Sequence, residues 1–297
     1  MRVDAHVHFC DASRFDELEK YRRLLSLDRV FLVSLPSMQR GNYNYAVRFA
    51  ISRDPDHYHG YGCFDFRRTD FADQIRAMND QGFSGLKLWI GKPSIQREMG
   101  YGILSKELEE AIRMAGSYGF GLIVHIADPP AFWEGSGEYS KGYPPFESYI
   151  ADLDCFLGRY PQIRCTAAHL AFLAGGVEKL DSLMERHENL FLDTAPGRWF
   201  YREISEDPKR YSTFFEKYRQ RIVVGSDSMF FDPDDHLFPY HSLDDNVGIF
   251  RTMEDFFFAE GSIDDPFPRP DAGKVLNLDL PGQVRELMIG DNIYELR

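Results

Sequence analysis

Positive charge is in short supply: 34 lysines and arginines stand against 47 aspartates and glutamates, a formal net charge of −13. A surface that acidic repels phosphate backbones and anionic lipid, which argues against nucleic acid and membrane partners. A local pocket can still be basic enough for a small anion. Cysteine is scarce too. Cys10, Cys63, Cys155 and Cys165 contain no CxxC pair, so they read as reduced, mostly buried thiols of a cytoplasmic protein. No stretch approaches the roughly 18 apolar residues of a membrane helix. The opening MRVDAHVHF lacks the basic segment and apolar run of a secretory signal. No repeat or low-complexity tract is visible, and no GxGxxG turn follows the first apolar run. That absence counts against an open doubly wound sheet.

What is present is an ordinary globular composition, 43% hydrophobic and 27% charged over 297 residues. Such a length fits one large barrel or two modest domains. Short β-rich runs predict strands at Arg2–Phe9, Arg29–Leu35, Gly60–Phe64, Ser84–Trp89, Gly121–Ile126, Ile163–His169, Leu190–Thr194 and Arg221–Ser226. Between them lie helix-like segments such as Arg14–Ser26, Asp70–Asp80, Ser105–Ser117, Tyr149–Tyr160, Val177–Arg186 and Thr213–Tyr218, with a closing helix at Pro281–Leu296. Eight strands alternating with helices make right-handed βαβ units and the arithmetic of an α/β, (β/α)8 TIM barrel. The expected organisation is one domain over residues 1–297, with long loops at about 127–146 and 228–275.

Chemistry concentrates where the apolar runs end. His6 and His8 close the first, in DAHVHF. Residues two apart on a strand project from one face, so both imidazoles can reach one ion if Val7 points out to the helices. The chain holds its own control. His57 and His59 share the spacing but precede the third strand, at the opposite rim, where solvated turn histidines are the plainer reading. The first pair has company: His125 ends GLIVHI, His169 ends CTAAHL and Asp227 ends VVGSD. Barrels keep catalytic residues at those strand ends. Singly, each has a blander account, a hydrogen-bonded structural histidine or an aspartate N-cap. Together, on strands one, five, six and eight, they suit a divalent ion with an open position.

With those pieces in order, the chain resembles the amidohydrolase superfamily, in its amidohydrolase-related (amidohydrolase 2) branch of TIM-barrel metal-dependent hydrolases. The matching segments are DAHVHF, GFSGLKLW, LIVHIADP, CTAAHLAF, LFLDTA, VVGSD and MIGDNIYEL. The resemblance implies His6 and His8 as the first two ligands, His125 as the third, and Asp227 as a ligand or neighbour of the activated water. His169 would polarise the scissile group or shuttle a proton. One divalent ion is implied, zinc or else manganese. The eighth-strand GSD departs from the commoner GTD but keeps a hydroxyl. This branch contains hydrolases of small amides, esters or lactones, and also non-oxidative decarboxylases of aromatic or unsaturated acids. Hydrolysis is the first reading and decarboxylation the alternative. A barrel that has lost catalysis is disfavoured, because all five site residues are present.

Other residues carry weaker expectations. Lys87 alternates with Leu86 and Leu88, so it should face the barrel interior. It should be protonated and paired with Asp193 or Asp227 rather than carboxylated as a bridge between two ions. Arg198 beside Trp199 can clamp a substrate carboxylate or lie on the surface. Trp133, with Phe132 and Tyr139, can form an apolar lid or simply pack its loop down. Asp232, Asp234 and Asp235 lack the EF-hand spacing, and Cys10 reads as packing. The expected partner is a small-molecule substrate, and apolar faces on outer helices leave a homodimer open.

Overall fold

Each apolar run becomes a strand buried on both faces. The computed structural model describes residues 1–37, 39–196, 200–232, 241–267, 273–290 and 292. The strands of the main sheet are β1 (Val3–Phe9), β2 (Arg29–Val33), β3 (Tyr58–Cys63), β4 (Gly85–Leu88), β5 (Gly121–Val124), β6 (Cys165–Ala167), β7 (Leu190–Asp193), β8 (Ile222–Val223) and β9 (Ser228–Phe230). They form one sheet in the order β8-β7-β6-β5-β4-β3-β2-β1-β9, parallel throughout. β8 and β9 are two halves of the expected eighth strand. The first pairs with β7 and the second with β1. Between them the Ala5 N–H donates to the Val224 carbonyl at 2.8 Å, and the Asp227 N–H to the His6 carbonyl at 2.9 Å. The sheet therefore closes on itself as a (β/α)8 barrel.

Alternate residues divide two cores. Phe31, Val33, Tyr61, Ile123, Phe191 and Val223 pack together inside the barrel. Val30, Leu32, Leu86, Leu88, Leu122 and Val124 belong to the larger core shared with the helices. In β1 that alternation breaks. Asp4 pairs with Val30 and Val7 with Leu32, so three steps along β1 match two along β2. This extra residue is a β-bulge. Val3 and Ala5 join the inner cluster, whereas Val7 and Phe9 join the outer one. After the bulge, His6 and His8 take the inward face.

The helices are α1 (Phe15–Leu24), α2 (Asn44–Arg53), α3 (Phe71–Asp80), α4 (Pro93–Met99), α5 (Lys106–Ser117), α6 (Phe146–Arg159), α7 (Val177–Arg186), α8 (Phe200–Ser205), α9 (Pro208–Lys217), α10 (Leu243–Phe258) and α11 (Gly282–Ile289). In α5 the buried residues Leu108, Ala111, Ile112 and Ala115 trace the three-four spacing of one helical face. Four helices are absent from the segments named from sequence: the short α4 and α8, and the longer α2 and α10. α2 is NYAVRFAISR, rich in β-branched and aromatic residues of low helix propensity, yet it buries Ala46, Val47, Ala50 and Ile51. α10 occupies 16 residues of the connection expected as a loop after the eighth strand. Its phenylalanines and internal Gly248 hide it, and a capping box of Ser242 and Asp245 starts it. The closing helix is shorter than expected, ending at Ile289. All four cysteines are free thiols, three of them buried and Cys155 exposed. Among the described residues no helix is long and apolar enough to cross a membrane.

Barrel closure leaves no room for a side chain at Gly225. A Cβ there would lie 2.7 Å from the Cβ of His6. Gly225→Ala should therefore destabilise the fold by about 1–3 kcal/mol, the usual cost of overpacking. Urea unfolding measures it, and an unchanged midpoint would mean that the two strands can separate at no cost.

Candidate metal centre

The bulge delivers two imidazoles to the barrel mouth, and their outer nitrogens are already committed. His6 Nδ1 lies 2.9 Å from Asp193 Oδ2, and His8 Nδ1 lies 3.1 Å from the Val33 carbonyl. Both partners only accept, so both Nδ1 atoms carry the proton and both Nε2 atoms present lone pairs. Those Nε2 atoms are 3.3 Å apart. Asp227 Oδ1 stands 3.1 Å from one and 3.7 Å from the other. It is buried without a hydrogen-bond partner among the described residues. Three acceptor atoms thus converge, all within 4.8 Å of one another. Such a donor set fits a divalent cation, whose first requirement is deprotonated nitrogen and oxygen ligands.

A buried carboxylate outside the mouth holds this geometry. Asp4 accepts hydrogen bonds from the Ser226 N–H at 2.9 Å, the Ser226 hydroxyl at 2.6 Å, the Tyr21 hydroxyl at 2.6 Å and the His6 N–H at 3.2 Å. One side chain thereby ties β1, α1 and the gap in the eighth strand together. Burial pushes the Asp4 carboxyl up to about 6, and these hydrogen bonds oppose the shift. The residues after three strands pay in backbone strain: Ala127 (φ 59), His169 to Phe172 (φ 51 to 57) and Asp227 (φ 59) are all left-handed. Non-glycine residues take that conformation at a cost of roughly 1–2 kcal/mol each, and such outliers gather at functional sites. Strand six stops at Ala167 instead of His169 because this left-handed turn begins there.

The turn places His169 over the site. Its N–H donates to Asp193 Oδ1 at 2.9 Å, and its Nδ1 faces the Ala195 carbonyl at 3.0 Å, which leaves Nε2 as a proton acceptor. Its ring lies 5.7 Å from that of His6 and 5.1 Å from that of His125. Asp193 thus orients both His6 and His169. The sequence reading offered it only as a partner for Lys87, although LFLD ends in a lone carboxylate as VVGSD does.

Burial lowers His6 well below the ordinary histidine range, and Lys87 and His8 add to the effect. Burial also raises Asp227, but its contact with His8 and the nearness of His169 and His6 outweigh that and hold it well below the carboxylate range. Lys87 is fully buried and faces inward as expected, but the expected ion pair is missing. Its Nζ lies 3.4 Å from His6 Nε2, with no carboxylate oxygen within 4.0 Å among the described residues. Burial draws it down to about 8 against the pull of Asp193 and Asp227. The reason is that Asp193 is already engaged by His6, His169 and the Ala195 N–H.

His125 stands outside the cluster. Its Nε2 lies 3.2 Å from Asp128 Oδ1, and its Nδ1 is buried without a partner. Asp128 is itself fixed by Lys92 at 2.7 and 2.8 Å and by the Tyr139 hydroxyl at 2.6 Å. That network draws the imidazole away, and the ring stacks on Trp89 with centroids 4.7 Å apart. Neither Trp89 nor Asp128 was singled out from sequence. Burial pushes His125 down to about 3, so it is neutral. Trp133 packs its loop down: its Nε1 donates to the Pro144 carbonyl at 2.7 Å, and its ring packs on Tyr139, Phe146 and Tyr149. His57 and His59 sit at the start of β3, away from these strand ends, and His57 pairs with Asp54 at 2.8 Å. Arg198, Trp199, Asp234 and Asp235 lie outside the described residues. A cavity of about 420 Å³ opens beside Asp227, lined by Tyr201, Met229, Ile249, Thr252 and Phe267 among others.

Known proteins place this architecture. No protein of curated function matches the sequence. Similar solved structures include a probable 2-pyrone-4,6-dicarboxylic acid hydrolase from Acinetobacter baumannii with citric acid bound, at 14% identity and a TM-score of 0.62, covering 99% of this chain and 98% of that one. An amidohydrolase from Burkholderia multivorans with bound zinc is 11% identical with a TM-score of 0.62, over 100% and 98% of the two chains. A 2,6-dihydroxybenzoate decarboxylase from Rhizobium is 12% identical with a TM-score of 0.58, over 99% and 98%. At such identities the likeness shows the barrel fold alone. The family whose description is Amidohydrolase matches residues 3–296, nearly the whole length, and the chain belongs to that family.

Proposed function

We propose that the protein is a divalent-metal-dependent hydrolase of small amides, esters or lactones. The observation that carries this reading is the convergence of His6 Nε2, His8 Nε2 and Asp227 Oδ1. These acceptors face one another with their proton-bearing nitrogens already bonded elsewhere. His6, His8 and Asp227 would hold the ion, and zinc or manganese suits such nitrogen and oxygen donors. When bound, a divalent ion supplies Lewis acidity that makes water nucleophilic near neutral pH. Asp227, kept ionised by its neighbours, takes a proton from the attacking water at Oδ2. That proton passes to His169 Nε2, free as an acceptor, and from there to the leaving group, while the His169 Nδ1–H stays on the Ala195 carbonyl. Lys87, beside His6, places a cation where negative charge develops on the substrate.

The cavity favours a second reading. Met229, Ile249 and Phe267 make an apolar wall suited to a flat ring, and one similar barrel is a 2,6-dihydroxybenzoate decarboxylase. Decarboxylation of an aromatic acid would use the same donors to hold the carboxylate or its neighbouring hydroxyl. A panel of lactones and amides, run beside hydroxybenzoate-like acids with carbon dioxide release as readout, separates the two. Ring opening without carbon dioxide is the expected result, and the reverse replaces hydrolysis with decarboxylation.

Elemental analysis should find about one equivalent of zinc or manganese per chain, as expected of a mononuclear site. His6→Ala with His8→Ala should lose it, whereas His57→Ala with His59→Ala should retain it. Unchanged metal in the first double variant removes the assignment.

His169→Asn should keep the metal and lower turnover by roughly 10²–10⁴, the contribution of a general acid or base. Loss of the metal in that variant would make His169 a ligand instead.

A further inference from the structure

One wall of the cavity beside Asp227 is left unused by the chemistry above. At about 420 Å³ the space falls within the 300–1,000 Å³ or so of small-molecule sites. Its described lining carries a single formal charge, Asp227, with no lysine or arginine. The nearby Arg202 is paired with Asp265 at 2.8 Å. A substrate bearing several carboxylates would bury them there without counter-charges, at a large desolvation cost. The part of the substrate that meets these described residues is therefore uncharged.

Tyr201 lines the same space. It is only 2% exposed, packed by its ring against Phe200, Phe256 and Phe267. The aromatic packing fixes where the hydroxyl sits. That hydroxyl makes no hydrogen bond to another described residue, and Tyr201 lines the cavity. A buried phenol without a partner is costly unless a ligand supplies one, since buried polar groups are otherwise hydrogen-bonded.

Resting on the hydrolytic reading, we propose that Tyr201 is a substrate-binding residue. It donates to a neutral oxygen on the ring of an uncharged aromatic lactone or ester, at the end remote from the scissile bond. The apolar residues Met229, Ile249 and Phe267 hold the ring, and the carbonyl lies towards Asp227.

Calorimetric titration of the metal-loaded protein with 7-methoxycoumarin and 7-ethylcoumarin tests this, because the two differ by one oxygen in place of a methylene. The wild type should bind the methoxy compound about 3- to 10-fold more tightly, the worth of one neutral hydrogen bond. Tyr201→Phe should erase that difference, leave the ethyl compound's affinity unchanged, and keep the melting temperature. Ile249→Trp, which fills the space, should abolish binding of both. Equal affinities in the wild type, a difference that survives Tyr201→Phe, binding that ignores Ile249→Trp, or no saturable binding of either compound each overturn the assignment. Chromatography of the same samples for the ring-opened acid reports on hydrolysis separately. Tyr201-dependent binding without ring opening supports the site and counts against the hydrolytic reading alone.

Discussion

Between Val224 and Asp227 the eighth strand leaves its ladder, and the carboxylate of Asp4 is what holds it there. An unpaired stretch of backbone inside a closed barrel would expose donors and acceptors to an apolar core. Here Asp4 takes up the Ser226 N–H and hydroxyl, and the chain re-enters the sheet at Ser228 against Val7. The gap aims Asp227 at the two histidines. The bulge in β1 does the matching work on the other side, since without its extra residue His6 and His8 would face the helices. Two departures from regular β-structure, on adjacent strands, build one site.

The electrostatics follow from that placement. His6 and His8 give their Nδ1 protons to Asp193 and Val33, so the nitrogens that meet are bases. Lys87 sits among them, fully buried, and its positive charge makes protonation of His6 harder still. Asp227 stays ionised because its contact with His8 and the nearness of His169 and His6 outweigh its burial. Burial, usually hostile to charge, is here outweighed at the aspartate and reinforced at the histidine. The result is a pocket of lone pairs suited to a cation and poorly suited to protons.

Much of this was legible in the residues themselves. A period-two pattern that ends in histidine or aspartate fixes the strand and the rim to which its last polar residue belongs. His6, His8, His169 and Asp227 gather at the rim that pattern names, His6 and His8 by way of the bulge and His169 one turn beyond its strand, and Lys87 faces inward because Leu86 and Leu88 must face out. Helices α2 and α10 were hidden, because Tyr43-Asn44-Tyr45 and Phe256-Phe257-Phe258 look like strand or loop by propensity. Packing against the barrel overrides that preference.

What the sequence by itself determined, then, is the order of strands, the chemical character of the strand ends and, outside the bulged β1, the face of each strand side chain, since these depend on local periodicity. Tertiary structure decided which of those ends touch. His125 shares a rim with His6, yet Asp128, itself held by Lys92 and Tyr139, claims its nitrogen. Lys87 lacks its expected carboxylate, since Asp193 is spent on two histidines. Such competition among polar partners depends on distances of a few tenths of an ångström between segments far apart in the chain, and hydrogen-bond strength falls steeply over that range.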